Sequence, residues 1–134
     1  MEIKHIFVVG AGTMGHGIAQ TAAVHGYRVT MMDIDADQLT KGMAAITRSV
    51  EKLFSKEKIS SEQKEAALSI TTATDYQAAS AADLAIEAVS ERLDVKENVF
   101  QTLDQIAPPD AILASNTSSI SLTEMAAVTN RPDR

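Results

Sequence analysis

The chain of 134 residues contains no cysteine and no tryptophan, and its aromatic residues amount to two tyrosines and three phenylalanines. Without cysteine there can be neither a disulfide nor a thiolate metal site, which fits a reducing cytoplasm, and any metal would need histidine or carboxylate ligands. With so few aromatic rings, stacking platforms for nucleic-acid bases are not expected.

Basic charge and long apolar runs are also scarce. Twelve lysines and arginines face 18 acids, for a net charge of -6, so the phosphates of a nucleic acid would be repelled. No run approaches the roughly 20 apolar residues that span a bilayer, and the N-terminus enters a strand pattern without a leader signature. We expect a single domain over residues 1–134, in the cytoplasm, with neither a membrane span nor a nucleic-acid partner.

Short apolar runs alternate with helical patterns along the chain. This alternation predicts an α/β fold, a mostly parallel sheet with helices on both faces. Strands are predicted over residues 3–9, 27–32, 69–72, 82–88 and 111–114, and helices over 13–25, 37–58, 62–68, 93–107 and 122–127.

Local signals mark several boundaries. Gly26 is predicted to end the first helix in a left-handed conformation. Ser60 with Gln63, and Ser121 with Glu124, have capping-box spacing at two helix starts. The polar residues 130–134 resemble a turn that approaches a further strand.

The glycines at positions 10, 12 and 15 match the G-x-G-x-x-G pattern of dinucleotide sites. Gly10 permits the turn out of the strand, Gly12 the approach of a pyrophosphate, and Gly15 the packing of helix on strand. Taken alone, the pattern also suits a tight turn without a ligand. Its place between a strand and a helix favours a dinucleotide.

Asp33 ends the second predicted strand, where such sites carry an acid for the ribose hydroxyls. A 2′-phosphate about 4 Å from this carboxylate would cost roughly 1 kcal/mol in water and about 4 kcal/mol at an effective dielectric of 20. We therefore expect NAD rather than NADP or FAD. The alternative, that Asp33 caps the next helix, suits Asp35 better, because Gln38 follows three residues later.

Two further segments, residues 86–91 and 114–119, end the fourth and fifth predicted strands. Because ligands of parallel sheets bind beyond the carboxyl ends of the strands, we expect both segments to face the same crevice as the glycine loop. Their polar side chains are placed for the nicotinamide half of the cofactor and for the substrate.

Four motifs in this order, GAGTMGHGIA, MMDID, IEAVSERLDVK and ILASNTSS, resemble the NAD-binding domain of 3-hydroxyacyl-CoA dehydrogenases, including the 3-hydroxybutyryl-CoA enzymes. The resemblance covers essentially the whole chain. It implies a Rossmann-type fold, NAD as cofactor, and a role in fatty-acid or butyrate metabolism.

The resemblance also implies roles for individual residues. Ser118 would lie beside the 3-oxygen of the substrate, and Asn116 would shape the same loop. Two alternatives remain, that Glu91 starts a helix and that Lys96 is a solvated helix charge. The implied cofactor contacts are Gly10, Ala11, Gly12, Thr13, Met14, Gly15, Asp33, Glu91, Lys96 and Ser118.

The second predicted helix is locally basic, with a charge of +3 over residues 41–58. Arg48, Lys52 and Lys56 recur every four residues and so share one face. Such a face would attract a polyanion such as coenzyme A, and the resemblance implies CoA contacts at Ser49 and Lys56. An ordinary solvent-facing helix is the alternative.

Oxidation of a hydroxyl by hydride transfer needs a base, and none of the three histidines (His5, His16 and His25) is expected to serve. The resemblance places the catalytic histidine after Arg134, with a helical C-terminal domain that completes the acyl pocket and forms a homodimer. We therefore expect the cofactor part of an L-3-hydroxyacyl-CoA dehydrogenase, truncated before the last strands. The alternatives are a non-catalytic NAD-binding module and an NAD-dependent hydroxyacid dehydrogenase that does not use CoA.

Overall fold

A computed structural model describes residues 2–89, 92–116, 126–131 and 133–134. Its centre is a five-stranded parallel sheet in the order β3-β2-β1-β4-β5. The strands are β1 His5–Val9, β2 Arg28–Met32, β3 Thr71–Ala73, β4 Leu84–Glu87 and β5 Ile112–Ser115.

Helices cover both faces of this sheet. They are α1 Thr13–Val24, α2 Ala36–Ser55, α3 Ser61–Leu68 and α4 Leu93–Ile106, with a short 3-10 helix at Gln77–Ala81. One face packs against α1, α2 and α3, and the other packs against α4 and the 3-10 helix. The predicted α/β architecture is confirmed.

Strand β1 shows why its run is continuously apolar. Successive side chains of a strand point to opposite faces. Ile6 and Val8 belong to the core under α1 and α2, whereas Phe7 and Val9 belong to the core under α4, and all four are buried. Both faces of the central strand therefore need apolar side chains.

Most predicted elements are present, with shifted ends. The second helix, predicted to reach residue 58, ends at Ser55, because the chain leaves the helix through a left-handed residue at Glu57. The 3-10 helix was not predicted, since five residues are too few to show a helical period. Of the predicted helix 122–127, only residues 126 and 127 are described, and its capping residues Ser121 and Glu124 lie outside the described residues.

The other boundary signals agree with the structure. Gly26 has φ of 96° directly after the C-cap of α1. The capping box at α3 is complete: the Gln63 amide N–H donates to Ser60 Oγ at 3.1 Å, and the Ser60 amide N–H donates to Gln63 Oε1 at 2.8 Å.

The C-terminal residues close the far end of α4. The Arg131 guanidinium donates to Asp104 Oδ1 at 2.7 Å and to backbone carbonyls of residues 104, 107, 108 and 111. The amide of Leu113 in β5 donates to the carbonyl of Arg134 at 2.6 Å. This bond lies on the edge of β5 away from β4, and the further strand stays a prediction.

Replacement of Glu57 by glycine is expected to stabilise the protein. Glu57 has φ of 60° and closes α2 by donating its amide to the Phe54 carbonyl, while the Lys58 amide donates to the Leu53 carbonyl. A side chain in this conformation costs about 1–2 kcal/mol, and glycine loses about 0.5–1 kcal/mol of that gain through the unfolded chain. Urea unfolding should show a gain of about 0.5–1 kcal/mol.

Lys58→Gly is the matched control, because φ at Lys58 is not positive and glycine there should lower the free energy of unfolding. A loss of stability in Glu57→Gly would contradict the explanation.

Candidate active site

Five residues at the ends of the strands lie side by side in one row. Strand pairing aligns Met32 of β2 with Val9 of β1, Val9 with Glu87 of β4, and Glu87 with Ser115 of β5. Ala73 of β3 completes the row beside Met32. The described residues that follow these strand ends therefore share one edge of the sheet, as predicted for the glycine loop and for the described parts, 86–89 and 114–116, of the two polar segments.

The chain order reverses at β1 within this row. The connection from β1 leads to β2 on one side of β1, and β2 is followed by β3 on that same side. The connection from β3 then crosses to β4 on the other side of β1. Open parallel sheets form their ligand crevice at such a point. The loop that starts at Gly10 lies in this crevice.

The glycine loop is held too tightly for side chains at two positions. Gly10 has φ of 109°, and a Cβ there would lie 2.6 Å from the carbonyl oxygen of Ala88. A Cβ at Gly15 would lie 1.8 Å from the carbonyl oxygen of Gly10. At Gly12 a Cβ would meet no atom within 4 Å, so the middle of the loop is open to a ligand.

The N-terminus of α1 faces this open space and favours an anion. Gly12 is the N-cap and supplies no side-chain cap, and the first turn carries no acidic residue. The first amides of a helix lack partners within the helix and carry the positive end of its dipole. Backbone amides in this arrangement bind the phosphates of nucleotides.

Asp33 joins the end of β2 to the glycine loop. Its Oδ2 accepts a hydrogen bond from the Ala11 amide at 3.0 Å, and its Oδ1 accepts one from the Asp35 amide at 2.9 Å. The cap of α2 is Asp35, as expected, although the donor to its carboxylate is the Asp37 amide at 2.9 Å rather than that of Gln38. Asp33 is therefore not the helix cap.

A cavity of about 460 Å³ opens beside Asp33. Apolar side chains form most of its wall, and the polar side chains of Asp33, Tyr76, Asp94 and Asn98 border it. Burial, together with the charge of Asp33, raises the pKa of Tyr76, so its hydroxyl stays protonated at neutral pH. An apolar slot beside a carboxylate suits an adenosine, whose base is flat and whose ribose offers hydroxyls.

Tyr76 and Asn98 were not predicted as site residues. Tyr76 precedes the unpredicted 3-10 helix, and Asn98 lies on α4, two residues after the motif that ends at Lys96. No local pattern marks either residue, since the packing of the 3-10 helix and of α4 brings them to the cavity beside Asp33.

Lys96 lies on α4 with its side chain fully buried. Its Nζ lies 2.6 Å from Glu87 Oε2 and 3.4 Å from the Val89 carbonyl oxygen. The interpretation of Lys96 as a solvated helix charge is wrong, because this face of α4 packs against the sheet. Glu87 was overlooked as a site residue, although an acid at the end of an apolar strand signals a buried charge that needs a partner.

The predicted CoA residues lie in the second half of α2 and, for Lys56, at its C-cap. Arg48, Lys52 and Lys56 are exposed, whereas Ser49 is half-buried and its Oγ accepts a hydrogen bond from Gln20 Nε2 at 2.9 Å. Ser49 and Lys56 are seven residues apart, which places them on one side of the helix two turns apart. Neither belongs to the row of strand ends.

Asn116 directly follows β5, and its amide donates to the Glu87 carbonyl at 2.8 Å. It therefore lies at the predicted edge, next to β4. The predicted site residues Glu91 and Ser118 lie outside the described residues.

Two of the three histidines contact parts of the fold outside the site, and the third contacts the glycine loop. His5 is buried, with Nε2 at 2.9 Å from Thr30 Oγ1 and Nδ1 at 3.1 Å from the Ala81 carbonyl oxygen. Nδ1 of His25 lies 2.7 Å from the Thr21 carbonyl oxygen at the C-terminus of α1. Nδ1 of His16 lies 3.3 Å from the Ala11 carbonyl oxygen in the glycine loop.

Sequence comparison decides the family. The family described as "3-hydroxyacyl-CoA dehydrogenase, NAD binding domain" matches residues 5–134. The chain belongs to this family.

Relatives in sequence and structure agree with the match. The probable 3-hydroxybutyryl-CoA dehydrogenase of Bacillus subtilis is 45% identical over 135 residues, which cover 100% of this chain and 47% of that protein. The human mitochondrial hydroxyacyl-coenzyme A dehydrogenase is 42% identical over 98% of this chain and 44% of its own length. The crystal structure of (S)-3-hydroxybutyryl-CoA dehydrogenase from Ralstonia eutropha superposes with a TM-score of 0.93 at 44% identity, over 98% of this chain and 47% of that chain.

The predicted family, the Rossmann-type fold and the NAD cofactor are thus confirmed. The chain of this 3-hydroxyacyl-CoA dehydrogenase domain spans less than half the length of the relatives named above. Within its described residues, no helix combines the length and apolar character needed to cross a membrane.

Replacement of Asp33 by asparagine is expected to weaken NADH binding about tenfold and to shift the NADPH to NADH affinity ratio about tenfold towards NADPH. Asparagine removes the charge that repels a 2′-phosphate, and its single oxygen cannot accept from both amides that Asp33 binds. Calorimetric titration of the chain with each cofactor measures both effects.

Asp35→Asn provides the control, because asparagine caps a helix as well as aspartate does. It should leave both affinities unchanged. An unaltered NADPH to NADH ratio in Asp33→Asn would contradict the role of this carboxylate.

Proposed function

We propose that the chain forms the cofactor-binding part of an enzyme that oxidises L-3-hydroxyacyl-CoA to 3-ketoacyl-CoA, and the reverse. The observation that carries the proposal is the hydrogen bond from Ala11 to Asp33, which joins a phosphate-binding loop to a ribose-binding acid at 3.0 Å. The polar ends of β4 and β5 lie on the other side of the same loop.

The adenosine half of NAD would occupy the cavity beside Asp33, and its pyrophosphate would lie on the amides at the start of α1. The nicotinamide supplies a hydride acceptor when the cofactor is bound. The Lys96 side chain is fully buried against Glu87 and the Val89 carbonyl, so Lys96 would support the cofactor site from below the strand ends. Besides this indirect role of Lys96, the residues proposed to hold the cofactor are Gly10, Ala11, Gly12, Thr13, Met14, Gly15, Asp33, Glu91 and Ser118.

The substrate would meet the cofactor beyond β5. We assign Ser118 to the 3-oxygen of the substrate, which its hydroxyl can bind as donor or acceptor. Asn116 would shape the loop that carries Ser118. The proton acceptor would be a histidine after Arg134. His5 and His25 are less suited to this role, because His5 is hydrogen-bonded to Thr30 and Ala81 and His25 lies at the C-terminus of α1.

Residues 1–134 would form one domain of the whole protein. A helical C-terminal domain would complete the acyl pocket and mediate a homodimer. Residues 1–134 alone would therefore not catalyse the reaction. The cytoplasmic location stays a prediction.

The activity is tested with a protein that also contains the sequence coded after Arg134. We expect it to consume NADH in the presence of acetoacetyl-CoA, measured by the loss of NADH absorbance, and to leave NADH intact with free acetoacetate. If such a protein carries the histidine and binds NADH, yet turns over no 3-ketoacyl-CoA, the activity is excluded. The non-catalytic NAD-binding module is then the better description.

Charge reversal on α2 tests the CoA contact. In that longer protein, Arg48→Glu with Lys56→Glu is expected to raise the KM for acetoacetyl-CoA about tenfold or more without changing kcat. Each reversal replaces attraction to a phosphate by repulsion worth about 1 kcal/mol at an exposed site. Steady-state kinetics at low and high salt measures the effect, which salt should weaken.

Lys4→Glu is the matched control, because Lys4 is exposed and precedes β1 at the opposite edge of the sheet. An unchanged KM in the double variant would favour a hydroxyacid dehydrogenase that does not use CoA.

A further inference from the structure

Glu87 is a charged residue in an otherwise uncharged row. Its neighbours across the sheet are Val9 and Ser115, and its side chain is fully buried beneath α4. A carboxylate in such a place costs several kcal/mol unless its oxygens are paired. The structure meets this cost with hydrogen bonds from three separate segments.

Each donor to Glu87 comes from a different part of the site. Lys96 of α4 donates its Nζ to Oε2 at 2.6 Å, and the amide of Val89, in the loop after β4, donates to the same oxygen at 2.8 Å. The hydroxyl of Ser115, at the end of β5, donates to Oε1. The backbone adds a fourth tie, from the Asn116 amide to the Glu87 carbonyl at 2.8 Å.

This cluster is not explained by stability. Buried ion pairs are commonly no more stable than apolar residues of the same volume. Lys96 also lies near the N-terminus of α4, where the helix dipole disfavours a cation. The ion pair instead fixes positions. Through its hydrogen bonds, the Glu87 carboxylate holds the ends of β4 and β5 and the first turns of α4 in a fixed arrangement relative to one another.

The position of the cluster assigns it to one half of the cofactor. Asp33 follows β2 on one side of the glycine loop, whereas Glu87 and Ser115 end β4 and β5 on the other side. The cavity beside Asp33 extends between the two sides as far as Val89 and α4. With the adenosine at Asp33, the nicotinamide half must extend over the ends of β4 and β5. Asn116, which begins the loop on that side, is bonded directly to Glu87.

We propose that Glu87 is a positioning residue for the nicotinamide half of the site, acting through Lys96, Val89 and Ser115. The proposal rests on the proposed function, in that the adenosine half must bind at Asp33. Glu87 does not touch the cofactor, because its side chain is fully buried below the strand ends.

The test compares two ligands that share the adenosine half. NADH carries the nicotinamide, and ADP-ribose lacks it. In Glu87→Gln, one oxygen must serve the donors that two oxygens serve now, and the ion pair between Lys96 and Glu87 is lost. We expect the Kd of NADH to rise about tenfold or more and the Kd of ADP-ribose to change by less than about threefold, measured calorimetrically on the chain.

Two further variants make the result decisive. Glu65→Gln makes the same substitution at an exposed glutamate of α3 and should change neither Kd. Ser115→Ala keeps the ion pair and removes one hydrogen bond, so we expect a selective loss of NADH affinity of about threefold. It replaces Glu87→Gln as the deciding variant if the latter does not fold, as judged by circular dichroism.

The outcomes separate the two proposals. If the unaltered chain binds neither ligand, the proposed function is wrong. If it binds both, and the folded variants weaken both ligands equally or neither, Glu87 has a general structural role and the inference is overturned. A loss confined to NADH supports it.

Discussion

The pairing of β1 with a strand on each side is the constraint on which the rest of the structure depends. Because β2 and β4 are both parallel to β1 and in register with it, Met32, Val9 and Glu87 end at the same level. The glycine loop leaves from the middle of this row, and its Gly10 amide donates to the Met32 carbonyl at 2.7 Å. A shift of either neighbour by one residue would turn its side chains to the wrong face and separate the site.

The two acids of this edge illustrate opposite uses of a carboxylate. Asp33 follows the row and keeps an open side toward a cavity, where it can recognise a ligand. Glu87 lies within the row, fully buried, and its oxygens are engaged by Lys96, Val89 and Ser115. Asp33 lies one residue beyond the end of β2, where its charge can face a ligand. Glu87 is the last residue of β4, where its charge faces the protein interior.

Sequence reasoning was most successful where the signal is local. The strands under two helical layers are continuously apolar, the capping box at Ser60 is complete, and Gly10 and Gly15 occupy positions that no side chain can fill. Of the two interpretations of Lys96, the structure excludes the solvated helix charge, because the side chain is buried. Sequence reasoning missed Tyr76 and Asn98, whose place at the cavity depends on how the 3-10 helix and α4 pack.

By itself, the sequence determined the order of strands and helices, the anion-binding loop, the acid that follows β2 and the family to which the chain belongs. These features rest on residue spacing, on backbone conformations that only glycine adopts readily, and on apolar periodicity. Only the tertiary structure decided that β4 pairs with the far side of β1, and that Glu87 meets Lys96 and Ser115. Those contacts join residues that are distant along the chain. Because a buried charge is costly unless it is paired, Glu87 must contact hydrogen-bond donors such as Lys96 and Ser115 once the sheet buries it.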